Sequence, residues 1–157
     1  QDYIPRKSST ASVIVQGVRP GENAEMTTMW VVLGYPPAGI AIPVWVKAGE
    51  ELPSVLIKES ETNMNAFACD MALKLKYKTF SIKRGNGGRY MNFPLIYNRN
   101  GNGYMQVLKN YEKRIFTLAL PMIDGWRREG ININQVKEFN KTADDLVKIA
   151  YSALFNL

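Results

Sequence analysis

The stretch STASVIVQGVRPGENAEMTTMWVVLGYPPAGIAIPVWV, Ser9 to Val46, decides the fold. Its opening run, Ala11 to Val18, is rich in β-branched residues and reads as a strand closed by the turn chemistry of Arg19-Pro20-Gly21. Asn23 is placed to cap a short helix from Ala24 to Leu33, with Glu25 in its first turn and Gly34 at its C-terminal stop. Thr27-Thr28-Met29-Trp30 would then lie on that helix, and Trp30 is expected to pack against a sheet. Pro36-Pro37-Ala38-Gly39 is a loop, and Ile40 to Val46 is a second strand. Pro43 cannot donate to a ladder, so that strand needs an edge position or a bulge. Both strands are almost continuously apolar in their middles, the pattern of a sheet covered on both faces, which predicts an α/β layered domain.

Downstream, helical periodicity takes over. A helix from about Thr62 to Tyr77 would set Met64, Phe67, Ala68, Met71 and Leu75 on one stripe, with Lys74 and Lys76 suiting the negative pole of its dipole. Gly85 to Gly88, GNGG, is a loop, and YMNFPLIY is an extended piece or short strand. NRNGNG precedes a helix start and so resembles a phosphate loop, yet no GK[ST] follows, and an ordinary turn is expected. Tyr104 to Arg128 reads as a helix that Pro121 should kink or break, and Gln135 to Leu154 as a second, capped by Asn132 or Asn134. Asp144 and Asp145 are adjacent on it and point about 100° apart, so they do not form a converging catalytic pair.

A chain of 157 residues fits one domain, residues 1–157, and no repeat or linker divides it. No run approaches the roughly 20 apolar residues that cross a bilayer. The chain begins at Gln1 with no leader, which suggests that upstream residues were removed; export to the periplasm or medium is an expectation only if one of them was a leader. Histidine is absent, which removes Ser-His-Asp and Cys-His sites and the HExxH zinc signature. The single cysteine, Cys69, lies at helical spacing among apolar residues and reads as a small buried hydrophobe. The net charge of +6 permits an acidic partner, nucleic acid or a phospholipid surface. Its densest basic stretch, KLKYKTFSIKRGNGGRY, mixes cations with Tyr77, Phe80 and Tyr90 but spans a helix end, a loop and an extended piece, which argues against a nucleic-acid platform.

The run STASVIVQG, Ser9 to Gly17, resembles the serine-rich inner strand of the choloylglycine hydrolase superfamily of N-terminal-nucleophile (Ntn) hydrolases. The longer block to Val46 is similar to the acyl-CoA:6-aminopenicillanic acid acyltransferase branch, the C45 peptidase-like linear amide hydrolases, with further agreement at GNGYMQVL to YEKRIF and around Gly125-Trp126-Arg127. The resemblance implies an αββα sandwich and self-cleavage that exposes a cysteine whose α-amino group is the general base, with neither metal nor cofactor. An α-amino group titrates at about 7.7–8.0, which lets such an enzyme dispense with histidine. Gln1 is no nucleophile and Cys69 lies mid-chain, so the resemblance implies the C-terminal portion of such an enzyme, inactive alone, without a catalytic residue of its own.

In the choloylglycine branch an arginine follows the serine-rich element; Val13 stands at that position here, and Arg6 is the nearest guanidinium upstream of the strand. Arg6, Ser9 and Ser12 are therefore the substrate-pocket candidates, the two serines either lining an acyl pocket or bonding within a buried sheet. The expected partners are a missing N-terminal segment of the same protein, or self-association through exposed apolar surface, and a small amide or acyl substrate in the intact enzyme. The alternatives are a non-catalytic binding or structural domain and a basic module for nucleic acid or anionic lipid.

Overall fold

A computed structural model describes residues 6–59 and 65–155. Three antiparallel strands form the main sheet in the order β1 (Ala11–Gln16), β2 (Thr28–Leu33), β3 (Ile42–Trp45). β1 and β2 pair from Ala11↔Leu33 to Gln16↔Thr28, and β2 and β3 from Thr28↔Trp45 to Val31↔Ile42. Then follow α1 (Phe67–Thr79), the short strands β4 (Ile82–Lys83) and β5 (Arg89–Tyr90), the single-turn α2 (Phe93–Ile96), and the long helices α3 (Tyr104–Glu129) and α4 (Ile133–Phe155). The chain is thus a mixed α+β protein with a small antiparallel sheet.

The expected helix from Ala24 to Leu33 is replaced by one 3-10 turn, Ala24–Met26, and then β2. Asn23 does cap, its Oδ1 accepting the Glu25 N–H at 2.9 Å. The turn stops because the next residues run Thr-Thr-Met-Trp-Val-Val, β-branched and aromatic side chains that fit a pleated surface, and because pairing on both flanks makes this the central strand. Trp30, expected to pack from a helix onto a sheet, instead packs from the sheet onto a helix: its ring meets Phe116 of α3 edge-on, with centroids 4.5 Å apart. Trp45 likewise meets Trp126 of α3 at 5.0 Å and Phe139 of α4 at 5.4 Å. These contacts fix the helical layer over β2 and β3.

The expectation of a sheet covered on both faces fails at β1. All four residues of β3 are buried, whereas Val13, Ile14 and Val15 are 50, 65 and 62% exposed. Since successive side chains alternate between faces, β1 is uncovered on both. Pro43 lies on β3, an edge strand, where a missing N–H is tolerated.

Of the helix expected from Thr62, residues 60–64, Met64 included, lie outside the described residues; α1 begins at Phe67 and buries Ala68, Met71 and Leu75 as its periodicity requires. Lys76, placed by the sequence only as a cation at the helix's negative pole, is buried. The YMNFPLIY piece is divided between β5, which closes a hairpin with β4 around the GNGG loop, and α2. The α3 helix runs through Pro121 unbroken. Pro121 and Thr117, four residues before it, are both exposed, so the carbonyl left without an N–H donor opens to solvent. Asn132 caps α4, its Oδ1 accepting from Asn134 N at 3.0 Å and Gln135 N at 3.3 Å.

Candidate functional site: the open strand and its lysine clamp

The three pocket candidates lie along one segment. A turn joins Arg6 to Ser9, the Ser9 N–H donating to the Arg6 carbonyl at 2.9 Å, and the chain then straightens into β1. Arg6 is exposed, while Ser9 and Ser12 are half-buried. Ser12 pairs across from Val32, which places it on the Trp30 face of the sheet together with Ile14 and Gln16. The Gln16 side-chain oxygen accepts the Trp30 indole N–H at 3.2 Å and ties the far end of β1 to its neighbour on that face. Among the described residues, neither serine hydroxyl makes a side-chain hydrogen bond, so the buried-sheet role considered for them has no partner there.

What holds the near end of β1 is Lys76, a residue whose sequence position suggests only a charge at the end of a helix. Lys76 Nζ donates to the Ser9 carbonyl at 3.1 Å and lies 5.7 Å from the Tyr35 ring centroid, a cation over an aromatic face. Burial lowers the Lys76 ammonium from its ordinary value, and the neighbouring Lys7 charge adds to that, with Cys69 opposing. Cys69 is seven residues earlier on α1, two turns along the same face. Gly34, at φ +75°, lets the end of β2 approach α1 so closely that a Cβ there would lie 2.7 Å from Ala72 Cβ and 2.8 Å from the Cys69 carbonyl.

The chemistry available around this clamp is that of neutral donors. Burial pushes the Cys69 thiol up, helped by the Asp70 carboxylate and opposed by the Gly34 backbone N–H and by Lys76. A raised thiol pKa lowers the share of the nucleophilic thiolate. Burial also raises the Tyr35 phenol, and raises that of Tyr151, whose hydroxyl donates to the Ala38 carbonyl at 3.0 Å. Among the described residues, no group of three or more histidine, cysteine or acidic side chains could hold a metal.

Two carboxylates outside this cluster have definite tasks. Asp144 is buried and accepts three hydrogen bonds, from Ser54 N at 3.0 Å, Ser54 Oγ at 2.6 Å and Val55 N at 3.0 Å, so it caps the 3-10 turn Ser54–Leu56, while Asp145 is exposed. Glu112 of α3 accepts the Ala41 N–H at 3.3 Å, and burial raises its carboxyl, against the Ala41 hydrogen bond and the charge of Lys109. The sequence pattern sets Asp144 with Asp145 and the lysines on the charged, solvent-facing side of the last helix, so its burial corrects that reading, and no sequence signal marked Glu112. The phosphate-loop resemblance dissolves into internal bonding: Asn98 Oδ1 accepts from Asn100 N and Asn102 N, and Gln106 Oε1 accepts from Asn98 N and Gly103 N.

No family model, curated protein or solved structure matches this chain. No helix among the described residues is long and apolar enough to cross a membrane.

Proposed function

We propose that this chain is the C-terminal portion of an N-terminal-nucleophile amide hydrolase or acyltransferase, working through an acyl-thioester on a cysteine carried by a preceding segment. The observation that carries the reading is β1. It bears Ser12 and follows Arg6 and Ser9, it exposes Val13, Ile14 and Val15, and one long edge of it has no strand partner among the described residues. An apolar edge strand left open is a template for further pairing, and such edges are normally blunted by charge, proline or a covering element. In this reading the preceding segment extends the sheet beyond β1 and brings its cysteine to the serine side of the strand, and α3 with α4 form an outer helical layer of the sandwich. The absence of histidine fits a mechanism whose base is an α-amino group.

The test is expression of the whole reading frame that encodes this chain. Intact mass and N-terminal sequencing should find a new N-terminal cysteine, and the processed protein should hydrolyse simple linear amides, an activity lost when that cysteine becomes serine. The 157-residue chain alone should show no hydrolysis above a buffer blank. Turnover by the isolated chain, or a complete product without an N-terminal cysteine, overturns the reading.

A further inference from the structure

The net positive charge of this protein arises from one part of the chain. From Met71 to Tyr111 there are eight lysines and arginines and no carboxylate, while the rest of the sequence carries twelve cations against fourteen carboxylates. The fold gathers this segment. The Asn92 N–H donates to the Thr79 carbonyl at 2.7 Å, so the chain leaves the end of α1, makes the β4–β5 hairpin and returns to the same point. Gln106 Oε1 and Nε2, bonded to the Asn98 backbone at 2.9 and 3.0 Å, then hold α2 against the start of α3. The hairpin therefore projects from the junction of α1, α2 and α3.

Lysine and arginine side chains on this end are exposed, Lys76 excepted: Lys74 and Lys78 on α1, Lys83, Arg84 and Arg89 on the hairpin, and Arg99 beyond α2. None of these six is ion-paired with a carboxylate among the described residues, in contrast to Lys47, Arg127 and Lys137. Arg84 stacks 4.3 Å over the Tyr90 ring, whose hydroxyl accepts from Asn86 Nδ2, which stiffens the arm. Apolar side chains stand out between the charges: Tyr77 is 71% exposed and Phe93 57%, with Tyr97 and Ile82 also exposed. Phe93 and Tyr97 lie side by side, ring centroids 6.5 Å apart.

We infer that this end of the molecule docks on an anionic phospholipid surface, the hairpin cations meeting headgroup phosphates while Phe93, Tyr97 and Ile82 enter the interfacial layer. Aromatic and aliphatic tips among unpaired lysines and arginines are what such an interface accepts, and the lack of any carboxylate over 41 residues removes the repulsion that anionic lipid would impose. Single-stranded nucleic acid needs a groove with ring faces presented in series. Here Tyr90 is already covered by Arg84, and the exposed apolar set includes an isoleucine, which favours lipid. The surface is independent of the proposed amide chemistry and stands or falls without it.

The test is co-sedimentation of the 157-residue chain with vesicles of phosphatidylserine and phosphatidylcholine, against phosphatidylcholine alone, from low to physiological salt, with a single-stranded oligoribonucleotide as competitor. Binding should need phosphatidylserine and weaken as salt rises. Lys83→Ala/Arg84→Ala/Arg89→Ala should reduce partitioning by about fivefold per charge removed, on the order of a hundredfold in all. Phe93→Ala/Tyr97→Ala should weaken binding without changing its salt dependence. These side chains are exposed, and unchanged circular dichroism establishes that both variants fold. Absence of binding at low salt, equal binding to phosphatidylcholine alone, no effect of the triple variant, or displacement from vesicles by stoichiometric oligoribonucleotide overturns the proposal, the last in favour of nucleic acid.

Discussion

Replacing Asp144 by alanine should be among the most damaging single changes in this fold outside its apolar core. The carboxylate joins α4 to the turn at Ser54–Leu56 through three hydrogen bonds, two from backbone N–H groups and one from the Ser54 hydroxyl. Val55 is 1% exposed, so its N–H has no access to water once the acceptor is gone, and an unsatisfied buried donor costs about 1–3 kcal/mol. The Ser54 groups are only partly buried and recover some hydration, adding about 1 kcal/mol. The sum is about 3 kcal/mol, which for a chain of this length lowers the melting temperature by roughly 6–12 °C. Urea denaturation should show the midpoint falling with an unchanged slope. Asp144→Asn keeps one acceptor and should fall between parent and alanine, and Ser54→Ala should cost about 1 kcal/mol. A double-mutant cycle on Ser54 and Asp144 should return a favourable coupling. A loss below about 1 kcal/mol for Asp144→Ala would refute the reasoning, because it would mean that water reaches the Val55 N–H.

Gly34→Ala meets both a left-handed backbone and atoms of α1 within 2.8 Å, and should destabilise by more than about 2 kcal/mol in thermal melts; a neutral result contradicts the close approach of β2 to α1. Glu112 has its carboxyl raised by burial, so the folded state holds that proton more tightly than the unfolded chain does, and the group's contribution to stability declines as pH climbs from the ordinary carboxyl range through the raised value. Glu112→Gln retains an acceptor for the Ala41 N–H and should therefore be more stable than the parent at pH 7, with the advantage vanishing below about pH 4; an advantage independent of pH contradicts this account. Lys76→Met should leave the global unfolding midpoint within about 1 kcal/mol of the parent but speed backbone amide exchange selectively around Ser9 to Ser12, and uniform acceleration across the sheet would show that Lys76 is not a local clamp.

The helical half of the fold was legible because its signals are repetitive. α3 and α4 carry their apolar residues at helical spacing over more than twenty positions each, which tolerates an interruption such as Pro121. The sheet depended on shorter signals. Asn23, Glu25 and Gly34 are sound punctuation for a helix, and Asn23 does cap a turn, but ten residues between cap and stop also accommodate one 3-10 turn and a strand. The decisive information was the run of β-branched residues from Thr27, whose preference becomes effective only with strands to pair on both sides. β1 misled in the opposite sense. Val-Ile-Val predicts burial on both faces, and in this chain those three side chains are open to solvent. That pattern is what a strand suited to the middle of a sheet shows when, among the described residues, it has only one neighbour.

The candidate site was legible in its strand and illegible in its support, for a physical reason. Ser9 and Ser12 announce themselves by lying next to an apolar run, but Lys76 sits in KLKYK, where three lysines alternate at the end of a helix and each satisfies the dipole equally well. Lys74 and Lys78 are exposed and Lys76 is buried, because α1 turns Leu75 and Lys76 toward the core on the side that Gly34 brings close. A lysine two residues away cannot substitute, since a helix rotates its side chains by about 200° over that interval. The Ser9 carbonyl accepts a charge-assisted bond only from position 76, and the polar segment leading into β1 is anchored to the helix that carries Cys69, whose thiol is pushed up by burial.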